Sequence, residues 1–133
     1  MSASVHSIRI GDSGDLSFLP DDSVALVVTS PPYPMIEMWD ELFRRRTPGV
    51  ADALTRSDGK TAFELMHEDL DRVWAEVFRV LVAGGFACIN IGDATRKVGE
   101  VFSLYPNHSR ILSTCFQIGF DVLPLVLWRK PTC

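Results

Sequence analysis

Apolar and polar positions divide the chain into segments of different period. Val24 to Thr29, VALVVT, is a near-continuous apolar and β-branched run, the pattern of a strand covered on both faces in a parallel sheet. It runs straight into Ser30-Pro31-Pro32-Tyr33-Pro34, where prolines stop any ladder. Upstream, VHSIRI sets Ile8 and Ile10 on one face and reads as a short strand ending at Gly11-Asp12. GDLSFLP then has room for one helical turn. From Phe63 the period changes. Phe63, Met66, Leu70, Val73, Trp74, Val77 and Leu81 recur at three- and four-residue steps, which predicts a helix with one apolar stripe. Thr61-Ala62-Phe63-Glu64 fits a capping box at its start. Glu68 and Arg72 pair four apart on its wet face, and Gly84-Gly85 ends it. FACINIGD predicts another strand. HSRILSTCFQIG predicts a second helix, with Ile111, Leu112, Cys115 and Phe116 inward and Gly119 as its stop. DVLPLVLW predicts a last strand, with Pro124 at an edge or bulge. Residues 40 to 60 are polar, contain Pro48, Gly49 and Gly59, and read as a long loop or a loosely helical excursion. The order is strand, strand, helix, strand, helix, strand: an α/β fold with a mostly parallel sheet.

Composition narrows the class. At 133 residues, 47% hydrophobic and 23% charged, the chain has the size and core of one globular domain. No apolar run approaches a membrane span. The N-terminal MSASVHSIRIGD lacks the layout of a signal peptide, so the expected address is cytoplasmic, with no membrane partner. Cys88, Cys115 and Cys133 form no close-spaced pair, so no disulfide framework and no metal site is expected. Each cysteine reads as a small apolar filler, and His6, His67 and His108 as surface or loop residues. The net charge of −4 does not by itself point to nucleic acid. Its distribution is uneven: Arg44, Arg45 and Arg46 are consecutive, with Arg56 and Lys60 nearby.

Open α/β sheets bind ligands beyond the carboxyl ends of their strands. Ser30 to Tyr33 sits at one such end, Asp12 at another, and Asn90 to Asp93 at a third. Each has a plainer explanation. Pro-Pro terminates strands, PPYP fits the minimal pattern for polyproline recognition, and an aspartate after glycine is an ordinary turn residue.

Four ordered blocks make the pattern specific. VVTSPPYP resembles the catalytic motif of amino-group DNA methyltransferases: Asp, Asn or Ser, then Pro-Pro, then an aromatic. GDSGDLSFLPDDSVALVVTSPPY resembles the lead-in to that motif, RVLVAGGFACINIGD the helix, glycines and strand after it, and GFDVLPLVLWRKP a later strand ending in Trp-x-Lys-Pro. The resemblance implies a partial Rossmann-like fold, S-adenosylmethionine as cofactor and double-stranded DNA as substrate. It implies catalytic roles for Ser30, Pro31, Pro32 and Tyr33. The Ser30 side chain and the Pro31 carbonyl would accept the two hydrogens of an exocyclic amino group, and Tyr33 would stack on the flipped base. Asp12 would lie near the adenosyl part of the cofactor. Serine at the first position goes mostly with the 4-amino group of cytosine, aspartate more with the 6-amino group of adenine. The setting implied is restriction–modification, and the arginine cluster at 44–46 would then face the DNA backbone.

One family feature is absent from this sequence: the aromatic-x-Gly-x-Gly cofactor loop between a strand and a helix. Only twenty-nine residues precede Ser30. The chain therefore resembles the permuted class, in which the catalytic half comes first. The expectation is that residues 1–133 are that half, with the cofactor-loop half and the target-recognition region elsewhere or on a second chain. Exposed apolar strand edges should follow. Two other readings remain open at this point. One is an inactive or partner-binding fragment. The other is a related Pro-Pro-Tyr site acting on a protein glutamine or on RNA, although such families usually carry the cofactor half upstream.

Overall fold

The structure, a computed structural model, describes residues 2–131. Its elements run β1 (Val24–Thr29), α1 (Asp40–Arg46), α2 (Val50–Thr55), α3 (Gly59–Val80), β2 (Leu81–Ile89), β3 (Ala94–Val98), β4 (Val101–Tyr105) and α4 (Asn107–Ile118). β1 and β2 pair in parallel, from Leu26 opposite Phe86 to Thr29 opposite Ile89. β3 and β4 form a separate antiparallel hairpin. The α/β class expected from the sequence is observed.

The long helix begins earlier than the capping box predicts. Asp58 is the cap: its carboxylate accepts the Thr61 N–H at 3.1 Å and the Thr61 hydroxyl at 2.7 Å. A carboxylate at the N-cap reaches the third helical N–H, so α3 opens at Gly59 and Thr61 lies inside it. The predicted stripe is buried from Phe63 to Val77. The helix stops at Val80 without glycine, because Leu81 swings to extended backbone and starts β2. Gly84 and Gly85 instead lie inside β2, where the pairing register slips. A Cβ on Gly85 would stand 3.0 Å from the carbonyl oxygens of Ala25 and Val82, so the slip needs a residue without one.

Two apolar clusters lie on α3. Phe43, Val50, Ala53 and Tyr105 meet its first half. Ile111, Cys115 and one face of the β1–β2 pair meet its second half. Residues 40–60 are thus helical: Phe43, Val50 and Ala53 give that polar stretch enough apolar contact to fold onto α3.

Several expectations fail for one reason, which is that periodicity states propensity and not the presence of a partner. VHSIRI forms no strand, and Ile10 is 99% exposed. DVLPLVLW is likewise without regular structure, with Val126, Leu127 and Trp128 exposed. Among the described residues no strand lies beside either segment. β1 is covered on one face only: Val27 packs inward, whereas Leu26 and Val28 share with Phe86 and Cys88 a face open to solvent. Cys88 is therefore exposed rather than core filler, while Cys133 lies outside the described residues. Phe116 is exposed on α4. Arg72 turns from Glu68 to Asp69 and Asp12. The hairpin was not predicted, because its outer face alternates Thr95 and Lys97 with Phe102 and Leu104 and reads as mixed polarity. No helix among the described residues is long and apolar enough to cross a membrane.

Candidate active site

β1 ends at Thr29, whose carbonyl accepts the Asn90 N–H at 2.8 Å. That bond keeps the ends of the two parallel strands together, and the Pro-Pro turn leaves from one of them. Pro31 and Pro34 are buried, Ser30 is exposed, and Pro32 and Tyr33 are half-buried. The turn is thus seated by its prolines and presents Ser30 outward.

Tyr33 is held by the end of β2. A Cβ on Gly92 would come within 3.3 Å of its ring. The Asn90 side-chain amide donates to the Tyr33 hydroxyl at 3.3 Å, and the Ser30 hydroxyl donates to the same oxygen at 3.5 Å. Both bonds are long. The exposed Ser30 hydroxyl therefore keeps its lone pairs available as acceptors.

After Tyr33 the chain turns sharply. The Ile36 N–H donates to the Tyr33 carbonyl at 3.2 Å, Pro34 takes the first corner and Met35 the second, at φ +68°. A proline followed by a positive-φ residue is the pattern of a type II turn, in which glycine is usual at the second corner. Methionine there is strained by about 1–3 kcal/mol. Its side chain is fully buried in the first cluster, which offsets that cost.

Asn107, the first residue of α4, closes the site from behind. Its amide nitrogen donates to the Pro34 carbonyl at 2.9 Å and to the Gly92 carbonyl at 3.0 Å. Its oxygen faces His67 Nε2 at 2.8 Å. Two carbonyl partners fix which end of the amide is nitrogen, so His67 must donate from Nε2. Burial pushes the imidazole down to about 4, against a smaller opposing effect of the Asn107 bond. His67 Nδ1 is buried without a partner. The surface role expected for His67 is corrected: it is 0% exposed, within the apolar stripe of α3. Its spacing, four after Phe63 and three before Leu70, was the signal available.

Asp12 sits on the other flank. A cleft of about 140 Å³ joins it to Pro32, with Phe43, Arg46 and Asp69 in the wall. Its carboxylate accepts the Gly14 N–H at 2.8 Å and pairs with Arg46 at 3.1 Å and Arg72 at 3.4 Å. The Gly14 bond, then Arg46, hold it below the usual carboxylate range. Asp69, its side chain 8% exposed, binds the same two arginines at 2.8 Å. Burial alone would raise the Asp69 carboxyl; the two guanidiniums bring it below its ordinary value. Of the three consecutive arginines, Arg46 is thus tied to Asp12 and Asp69, while Arg44 and Arg45 are exposed, Arg45 beside Glu41. Asp93 turns towards α4, accepting the His108 N–H at 3.1 Å and facing His108 Nδ1 at 2.8 Å. The structure thus gathers Ser30, Pro31, Pro32 and Tyr33 at one strand end with Asn90, Gly92 and Asn107, and places Asp12 across the Pro32 cleft.

The DNA methylase family profile matches residues 24–133. The type II methyltransferase M.MthZI of Methanothermobacter thermautotrophicus is 51% identical over 94% of this chain and 36% of its own length. M.MjaI of Methanocaldococcus jannaschii is 49% identical over 96% of this chain and 46% of its own. The chain thus spans between about a third and a half of these relatives. TTHA0409 of Thermus thermophilus, solved in complex with S-adenosyl-L-methionine, superposes with a TM-score of 0.68 at 34% identity, over 90% of this chain and 42% of that one. The architecture is accordingly a partial Rossmann-like methyltransferase fold. The sequence match and the shared fold agree: this chain belongs to the N6/N4 DNA methylase family.

Proposed function

We propose that residues 1–133 act as the catalytic half of a site-specific DNA methyltransferase that modifies the exocyclic 4-amino group of cytosine, in a cytoplasmic restriction–modification setting. The observation that carries this reading is an exposed serine acceptor at the end of β1, three residues before a half-buried tyrosine whose ring leaves little room for a side chain at Gly92. A ring-conjugated amino nitrogen is a poor nucleophile. The Ser30 oxygen and the Pro31 carbonyl accept hydrogen bonds from its two N–H groups and favour a pyramidal nitrogen whose lone pair is free. Pro31 and Pro32 hold these acceptors rigid, so no reorganisation is needed when charge develops. Tyr33 stacks on the flipped base. S-adenosylmethionine would supply an electrophilic methyl group. Ligand pockets usually exceed about 300 Å³, so the cleft beside Pro32 takes one part of that cofactor, with Asp12 facing its adenosyl end. The rest of the site would come from a cofactor-binding half, downstream or on a second chain, and double-stranded DNA would dock against the completed unit.

The test is a chimera of this chain with the part of M.MthZI that it does not cover. It is incubated with radiolabelled cofactor and DNA, and the product is digested to nucleosides. Label in N4-methylcytosine, lost in Ser30→Ala, is the expected result. Label in N6-methyladenine would replace the base assignment with the adenine alternative. Cofactor binding without transfer would identify a non-catalytic, partner-binding module.

A further inference from the structure

We infer that Asn107, oriented by His67, is a positioning residue that sets the conformation of the Tyr33 turn. Type I and type II turns differ by a flip of their central peptide. Here that peptide joins Pro34 to Met35, and its carbonyl is the one Asn107 holds at 2.9 Å. The flipped-over alternative would relieve the positive φ of Met35 but would withdraw the carbonyl from Asn107. A buried donor left unpaired is costly, so the bond selects the strained turn.

The second arm of the same amide holds the Gly92 carbonyl at 3.0 Å, and a Cβ on Gly92 would come within 3.3 Å of the Tyr33 ring. One side chain thus fixes both the turn that carries Tyr33 and the strand end that supports it. His67 supplies the remaining constraint. Its Nε2–H donates to Asn107 Oδ1 at 2.8 Å, so the amide cannot rotate end for end without facing donor to donor. The Phe63 ring meets the imidazole edge-on at 4.6 Å and locks it in turn. The positional claim stands on this geometry; its catalytic meaning rests on the function proposed above.

The chain contains two tyrosines, Tyr33 and Tyr105. Labelled with meta-fluorotyrosine, it should give two fluorine NMR resonances, assigned with Tyr33→Phe. Tyr105, buried on β4, reports whether the core is folded. Asn107→Ala and Asn107→Asp, which cannot donate to the carbonyls, should shift or double the Tyr33 resonance while Tyr105 stays in place. His67→Gln keeps an N–H donor and should preserve the native Tyr33 resonance; His67→Leu fills similar space without one and should move it. A role in packing alone predicts that leucine is tolerated at least as well as glutamine. An unchanged Tyr33 resonance in folded Asn107→Ala, or the same response to both His67 replacements, would overturn the inference. Should Asn107→Ala lose the Tyr105 signal too, the His67 pair decides. No arm requires methyl transfer, so failure here is distinct from failure of the proposed reaction.

Discussion

At the scale of single residues, Tyr33 shows how geometry assigns work to parts of a side chain. Its hydroxyl makes only long bonds, to Asn90 at 3.3 Å and Ser30 at 3.5 Å, whereas its ring fills the space that a side chain at Gly92 would enter. If the proposed function holds, Tyr33→Phe in the chimera should retain most turnover, and Tyr33→Ala should lose about ten- to hundredfold, since base–aromatic stacking contributes about 1–3 kcal/mol. Comparable losses in both would shift the role to the hydroxyl. Asp69 gives a second residue-scale case. Removing one partner of a buried ion pair costs about 3–5 kcal/mol, but Arg46 and Arg72 stay partly exposed and regain water. Asp69→Asn should consequently destabilise by only about 1–2 kcal/mol, read as a lower urea midpoint with unchanged slope. At this scale the sequence was most informative about residues whose chemistry is local. Ser30 and Tyr33 announce themselves beside two prolines. Asn107 and Asp69 do not, because their partners Pro34 and Arg46 lie 73 and 23 positions away along the chain, and only the packing of α3 brings them within reach.

At the scale of elements, α3 was legible in its apolar stripe and illegible in its ends. The stripe is a repeated signal, while the cap is a competition between neighbouring donors and acceptors that Asp58 wins over Thr61. The buried His67 makes the joint between α3 and α4 sensitive to pH. Burial holds its imidazole at about 4, below the ordinary 6.5. Between these values the unfolded chain binds the proton and the folded chain does not. Stability is then complete above about pH 6.5 and declines as the pH falls towards 4. The full effect is about 3 kcal/mol. Around His67 stand Arg110, Asp71 and Glu64. The carboxylates of Asp12 and Asp69 lie below their ordinary values, so they contribute at lower pH. Urea titrations from pH 7 to pH 4 should show this slope in the native chain and a much flatter one in His67→Gln. Equal slopes would mean that His67 is protonated in the folded state.

At the scale of the whole molecule, the sequence conveyed an α/β fold but not which of its strands would find partners. VHSIRI and DVLPLVLW have strand composition and no neighbour to pair with among the described residues. The same deficit leaves one face of the β1–β2 pair open, where Leu26, Val28 and Phe86 form a contiguous apolar surface and Val28 is 73% exposed. A sheet face of this kind is ordinarily covered, and exposed apolar patches drive association. The isolated chain should therefore bind a hydrophobic dye and sediment as concentration-dependent oligomers. Val28→Lys places a charge on the open face without touching the face packed on α3 and α4, since neighbouring strand residues point to opposite sides. It should reduce both dye binding and association while leaving the circular dichroism unchanged. If the native chain is monomeric and dye-negative at the same concentrations, residues outside regular structure must cover that face in solution. A loss of secondary structure in Val28→Lys would show instead that both faces of β1 support the fold. Association that falls selectively in Val28→Lys identifies the open sheet face as the surface through which copies of the chain meet.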